Sequence, residues 1–340
     1  MKREGDVIEK RAPSECKNQC DGLVTYLFLF RVMIKWLLGF VFFLQATALH
    51  SQGFLPRWIG CAEPDSTSEL WFRHTYLCAG RPRFAAIEVT TTGFFDLYVN
   101  GYNVSTDSRM PFRPQEKDDQ PICLRFDVTR FLRPDSNTIA LWYGPSYPHV
   151  QPRQVAVSYF GRGHDDRFFS FTADENWLCR KAYISLDSVG GEVFRAPDAS
   201  QRGWNGSDFA PACWQGAACR PPDCTWETDY REVCYPAERV AKVLIPAYRV
   251  VEGDTVCYEF QTGFYGYVRA TLRNAHRDSW LNINGLRYQC RGETDEQAYR
   301  KFTRGLFRRV WATGDGPFRS SRIERVEGIE TRSYLHFGWQ

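Results

Sequence analysis

The stretch FFDLYVNGYNV (94–104) constrains the fold of this chain more than any other. Phe95, Leu97 and Val99 alternate with Asp96 and Tyr98, the period of a strand that buries one face. Asn100-Gly101 follows, a pair that tolerates the positive φ angles of a tight primed turn, so the chain must return as a β-hairpin. Similar short runs recur at 70–77, 83–92, 122–132, 137–144 and 154–161, each bounded by turn residues. That rhythm predicts an all-β protein built from sandwich layers. No segment after residue 54 sustains a helical period; the best helical candidate is DEQAYRKFTRGLF (295–307), where Ala298, Phe302 and Leu306 fall four apart.

The 340 residues leave room for two domains, and composition shows where to divide them. Residues 196–235 are rich in Pro, Gly, Ala and Cys and read as a linker, with β texture resuming after it. The division is therefore one β-sandwich over 54–195, the linker, and a second β-sandwich over 236–340. Residues 1–53 differ from the rest. Trp36–Leu44 is an unbroken apolar run behind Lys35, followed by Ala46-Thr47-Ala48 as an A-x-A cleavage site. Two readings stand: an export signal starting at Met33, with 1–32 an extension from an earlier start codon, or a retained membrane anchor. Either places the chain in the periplasm, at the cell surface or outside the cell. Of the twelve cysteines, ten lie beyond this segment, and their spacing assigns no connectivity.

The chemistry-bearing motifs are few. Charge is near balance, 43 basic against 40 acidic residues, with no basic block, so no nucleic-acid partner is indicated. The acidic clusters Asp118-Asp119 and Asp165-Asp166 sit in turn-like contexts, and 293–297 at the start of the candidate helix, where carboxylates offset the helix dipole; each context explains its cluster locally. No nucleophile elbow, H-E-x-x-H or P-loop occurs, and the six histidines are scattered. No catalytic residue, no metal ligand and no cofactor is therefore assigned. A structural calcium ion, common in jelly-roll sugar modules, lacks a dense Asp/Asn loop here.

Aromatic residues make up 16% of the chain, enough to build sugar-contacting surfaces as well as strands. LWYGPSYPHVQP (141–152) sets Trp142, Tyr143 and Tyr147 beside Gly and Pro at a strand end, where flat rings can meet the C–H face of a pyranose. Just after the hairpin, Arg109 and Arg113 supply guanidinium donors suited to the carboxylates of pectic sugars.

Taken in order, these segments resemble the N-terminal β-sandwich region of bacterial α-L-rhamnosidases, glycoside hydrolases of family 78. The resemblance rests on Trp58-Ile59, Phe72-Arg73, the LYVNG hairpin (97–101), Asp127–Leu132, NTIAL (137–141) and Trp177. GGEVFRAPDASQRGWNGSDFAPACW (190–214) and YEFQTGFYGYVR (258–269) complete it. It implies a galactose-binding-like β-sandwich over 54–195 and a second jelly-roll-type β-sandwich over 236–340, together a non-catalytic, carbohydrate-associated module that binds rhamnose-containing glycans or supports a catalytic glycosidase partner. In that family a catalytic (α/α)6 barrel follows, and nothing of the kind is present here. Two alternatives accompany this expectation: the front part of a rhamnosidase whose barrel is missing, and a structural surface module without sugar affinity.

Overall fold

The computed structural model describes residues 57–63, 67–111, 121–145, 152–220, 229–231 and 236–335, all within the unit Pro56–Gln340. The expectations for residues 1–53, and for Arg113 and Tyr147, fall outside these residues.

The described chain is all-β, with three short 3-10 turns and no α-helix among the described residues. Its first half comprises β1 (Trp58–Gly60), β2 (Ser68–Leu77), β3 (Phe84–Thr91), β4 (Phe94–Val99), β5 (Tyr102–Asn103), β6 (Ile122–Asp127) and β7 (Ser136–Gly144). These are followed by β8 (Val155–Arg162), β9 (Phe168–Thr172), β10 (Leu178–Leu186) and β11 (Glu192–Phe194). Short strands β12 (Gln215–Gly216), β13 (Ala218–Arg220) and β14 (Asp229–Arg231) lead to the second half. That half holds β15 (Pro236–Leu244), β16 (Tyr248–Glu252), β17 (Thr255–Arg273), β18 (Trp280–Ile283), β19 (Leu286–Gln289), β20 (Asp295–Tyr299), β21 (Gly305–Asp315) and β22 (Ile323–Leu335).

Two layers form the first sandwich. One is the sheet β13-β1-β8-β3-β6-β14 with β9 beside β8; the other is the β10-β2-β7-β4-β5 part of a larger sheet. Alternation drives their union: Leu70, Phe72, Phe95, Leu97, Val99, Ile139, Leu141 and Tyr143 point inward onto Ile87, Val89, Val155 and Val157. The hairpin turns as its sequence dictates, with Asn100 at φ 52° and Gly101 at φ 86°. Asn100 also works as a buried hub. Its side chain donates to Phe131 O and Asn137 Oδ1 and accepts from Thr138 N, each at 2.9 Å.

The second sandwich closes through β17, whose first part pairs with β16 and β21 and whose last part pairs with β20 and β22. Its core contains Phe260, Phe264, Leu272, Leu281, Tyr288, Phe307 and Val310. The helix expected over 295–307 does not form. Glu296 and Ala298 are buried while Asp295, Gln297 and Tyr299 face outward, which is strand period, and the chain turns at 301–303 before β21. The four-residue spacing arose by chance, since Leu306 is exposed and Phe302 packs into a different cluster from Ala298.

Parallel pairing of β11 with β19 makes the larger sheet continuous through both sandwiches. Ion pairs across the junction add to it. Arg109 holds Glu238 at 2.9 Å, and Asp107 accepts from Arg239 at 2.6 Å.

Candidate functional site

The outer face of β4-β7-β2-β10 is unusual for a sandwich because it is covered rather than solvated. Cross-strand register places Asp96, Trp142, Trp71 and Arg180 in one row. Trp71 lies at the centre, 5.5 Å from Trp142 edge-on and 4.6 Å from Trp204 in a parallel stack. Trp204 and Trp214 come from the segment after 196, which folds back onto this face. Arg73 fastens that segment by donating to Gly206 O at 2.9 Å and Phe209 O at 3.0 Å.

Above this aromatic floor, the 301–303 turn descends from the second sandwich. Glu192 captures it, accepting backbone N–H bonds from Lys301 (2.6 Å), Phe302 (2.8 Å) and Thr303 (2.7 Å). The turn delivers Lys301, whose Nζ lies 2.5 Å from Asp96 Oδ2 and 4.1 Å from the Trp142 ring centroid. Burial alone would lower the Lys301 pKa, but Asp96 and the neighbouring phenols outweigh it and push the ammonium above its ordinary range. On the other side of Trp142, the indole Nε1 donates to Glu69 Oε2. Burial, and then the nearby Glu192, hold the Glu69 carboxyl well above the usual carboxylate range. Its Oε1 has no hydrogen-bond partner.

Between this floor and the second sandwich lies a cavity of about 870 Å³. One wall is aromatic and aliphatic: Trp142, Tyr183, Ile184 and Phe194, with Tyr288 beside them. The opposing wall is the outer face of β20-β17-β22, where register aligns Gln297, Thr271 and Arg325 across three strands. Arg273, Asp295, Tyr299 and Glu324 extend it, and Arg291 and Lys301 complete the lining. Because side chains alternate along each strand, residues 271 and 273 reach the cavity while Leu272 fills the core. The phenol of Tyr183 is pushed up to about 12 by burial, so it remains a neutral hydrogen-bonding group.

Two carboxylates face this cavity, Asp295 and Glu324, and one guanidinium holds both: Arg273 Nε lies 3.3 Å and 2.9 Å from them. They sit together on one wall, with no cavity-lining carboxyl on the wall opposite among the described residues. Hydrolysis of a glycoside requires an acid and a base flanking the bond.

The residues read as sugar contacts from sequence part company here. Trp142 belongs to the cavity wall, yet Lys301 caps its ring and leaves it 8% exposed. Tyr143 is its neighbour in the strand and therefore faces the opposite way. It lies fully buried in the first core with its hydroxyl 3.1 Å from Thr92 Oγ1, and offers no surface to a ligand. Arg109 is half-buried and engaged by Glu238 and the Phe94 ring. Sequence reasoning missed Tyr183, Thr271, Arg273, Arg291, Gln297, Tyr299 and Arg325. The alternation in VRATLRN (268–274) was their one available signal.

Comparison with known proteins bears on the fold. No protein-family model matches the chain, and no curated protein does. Among solved structures it is similar to the α-L-rhamnosidase from Dictyoglumus thermophilum, with a TM-score of 0.71 at 20% identity over 84% of this chain and 36% of the enzyme. The Streptomyces avermitilis α-L-rhamnosidase, solved with L-rhamnose, gives 0.68 at 18% identity over 79% of this chain and 29% of that one. The Aspergillus terreus enzyme gives 0.67 at 16% identity, covering 83% of this chain and 36% of the other. The chain spans about a third of the length of these enzymes, and its two β-sandwiches have the fold that this part of an α-L-rhamnosidase has.

Proposed function

We propose that this chain is a non-catalytic carbohydrate-binding module, and that its cavity between the sandwiches holds a rhamnose-containing glycan. One observation carries the reading: an aromatic wall faces a polar wall across a cavity of about 870 Å³. Saccharides need both, an apolar surface for their C–H faces and fixed donors and acceptors for their hydroxyls. Tyr183 and Tyr299 supply the accessible rings, since Trp142 is capped and Phe194 is stacked 4.4 Å from Tyr288. Thr271, Gln297 and the arginines supply the polar contacts. The shared fold with α-L-rhamnosidases supports the choice of sugar.

The carboxylate arrangement favours binding without hydrolysis, because both cavity acids share one arginine on one wall. A second reading follows from coverage: the chain matches about a third of each enzyme, so it would serve as a supporting module for a glycosidase catalytic domain. Titration with rhamnose-containing oligosaccharides, followed by tryptophan fluorescence and calorimetry, tests the binding. A saturable change at millimolar sugar or below is expected, and its absence rejects the proposal. Purified chain should release no rhamnose from an aryl rhamnoside; turnover would reject the non-catalytic assignment.

A further inference from the structure

The polar wall carries more than hydroxyl-binding groups. Among the described residues, four cations line the cavity (Arg273, Arg291, Arg325 and Lys301) against two carboxylates, Asp295 and Glu324. Arg273 is consumed by those two carboxylates and Lys301 by Asp96. Arg325 and Arg291 stand differently. Arg325 Nε is 3.5 Å from Glu327, a carboxylate that Arg269 already holds at 2.7 Å. Arg291 Nη2 is 3.5 Å from Glu293, a carboxylate that Arg202 also holds, and its Nε is 3.7 Å from Glu296 without a hydrogen-bond partner.

The oxygens of Glu296 are already taken. They accept from Tyr288 Oη at 3.0 Å, Arg291 N at 2.8 Å and Glu293 N at 2.9 Å. Thr271, on the same wall, has a buried Oγ1 that also lacks a partner. Buried polar atoms in native proteins are nearly always satisfied by protein, water or ligand. Here Arg291 and Thr271, each carrying a buried polar atom without a partner, and Arg325, held loosely by a shared carboxylate, belong to the lining of one sugar-sized cavity.

We infer that the cavity recognises a saccharide bearing a carboxylate, with Arg291 and Arg325 as the carboxylate-binding residues and Thr271 as a hydroxyl partner beside them. This rests on the proposed carbohydrate-binding reading and narrows it to glycans in which rhamnose accompanies a hexuronate. Guanidinium suits that task because its planar fork matches a carboxylate with two parallel N–H bonds.

The test compares two probes of one shape. An oligosaccharide of alternating rhamnose and galacturonate is titrated into the full chain by calorimetry, alongside the same oligosaccharide with its carboxylates reduced to alcohols. The uronate form should bind at least about tenfold more tightly, the worth of one charge-assisted hydrogen bond. That advantage should shrink at high salt and vanish in Arg325→Gln, a substitution at a side chain 56% exposed, with the variant's melting temperature measured beside the parent's. Arg291→Lys, which keeps the charge but loses the fork, should reduce it in part. Equal binding of the two forms overturns the carboxylate inference and leaves the carbohydrate reading standing. Binding of neither form rejects both. A uronate preference that survives both substitutions places recognition elsewhere and overturns the assignment. A sulfated, carboxylate-free oligosaccharide that binds as tightly reduces the preference to general anion attraction, which also overturns it.

Discussion

The Lys301 ammonium rests 4.1 Å above the Trp142 ring and 2.5 Å from Asp96, so one cation of the second sandwich is anchored on the outer face of the first. Both charges are largely removed from water, with side chains 16% and 12% exposed. A pair of that kind is worth little against an apolar replacement, but breaking it strands the remaining charge. Lys301→Met should therefore destabilise the fold by about 3–5 kcal/mol, and the double variant with Asp96→Asn should recover most of that loss. Urea unfolding of the four proteins of this cycle measures it; additive losses would contradict the coupling.

Glu69 makes stability depend on pH with a definite sign. Its folded-state pKa is raised above the ordinary value of 4.5, so the native state holds the proton after the unfolded state has released it. Stability is thus lost as pH rises from about 4.5 towards the folded-state pKa, and is flat beyond it. Glu69→Gln keeps an acceptor for Trp142 Nε1 and removes the titration. The variant should gain on the parent protein as pH climbs from about 4 to about 8, read as paired melting curves. Parallel profiles would count against a protonated Glu69.

Gly144 is a matter of space. It ends β7 beneath the 301–303 turn, and a Cβ there would run into the Phe302 ring. Gly144→Ala should cost about 1–3 kcal/mol by overpacking, and Phe302→Leu in the same chain should return part of it. Thermal denaturation of the single and double variants decides the point. The same shift moves Lys301, the neighbour of Phe302, so saccharide binding should weaken together with stability.

Tyr299 separates binding from folding. The ring lines the cavity and is 42% exposed, so Tyr299→Ala should leave the melting temperature nearly unchanged. Affinity for the oligosaccharide should fall by about 0.5–1.5 kcal/mol, the scale of one aromatic contact. Calorimetry beside a melting curve distinguishes this from a general loss of structure.

The all-β class, the hairpin at 94–104 and the inward-facing residues of β4 were legible in the amino-acid sequence. Local chemistry suffices there, because alternation selects a face and Asn100-Gly101 permits only a tight return. The roles of Trp142 and Tyr143 were set by long-range packing. In β7 both faces are covered, residues 137–144 are all buried, and no polar position marks which ring turns towards the core. Likewise, nothing local to residues 295–303 shows that Glu192, over a hundred positions earlier, would bind their turn and set Lys301 over Trp142. The cavity exists because two sheet faces meet, and its lining residues are brought together by long-range register rather than by any motif. Strand period is a property of neighbours in sequence, whereas a binding site between sandwiches is a property of which faces are left to pack.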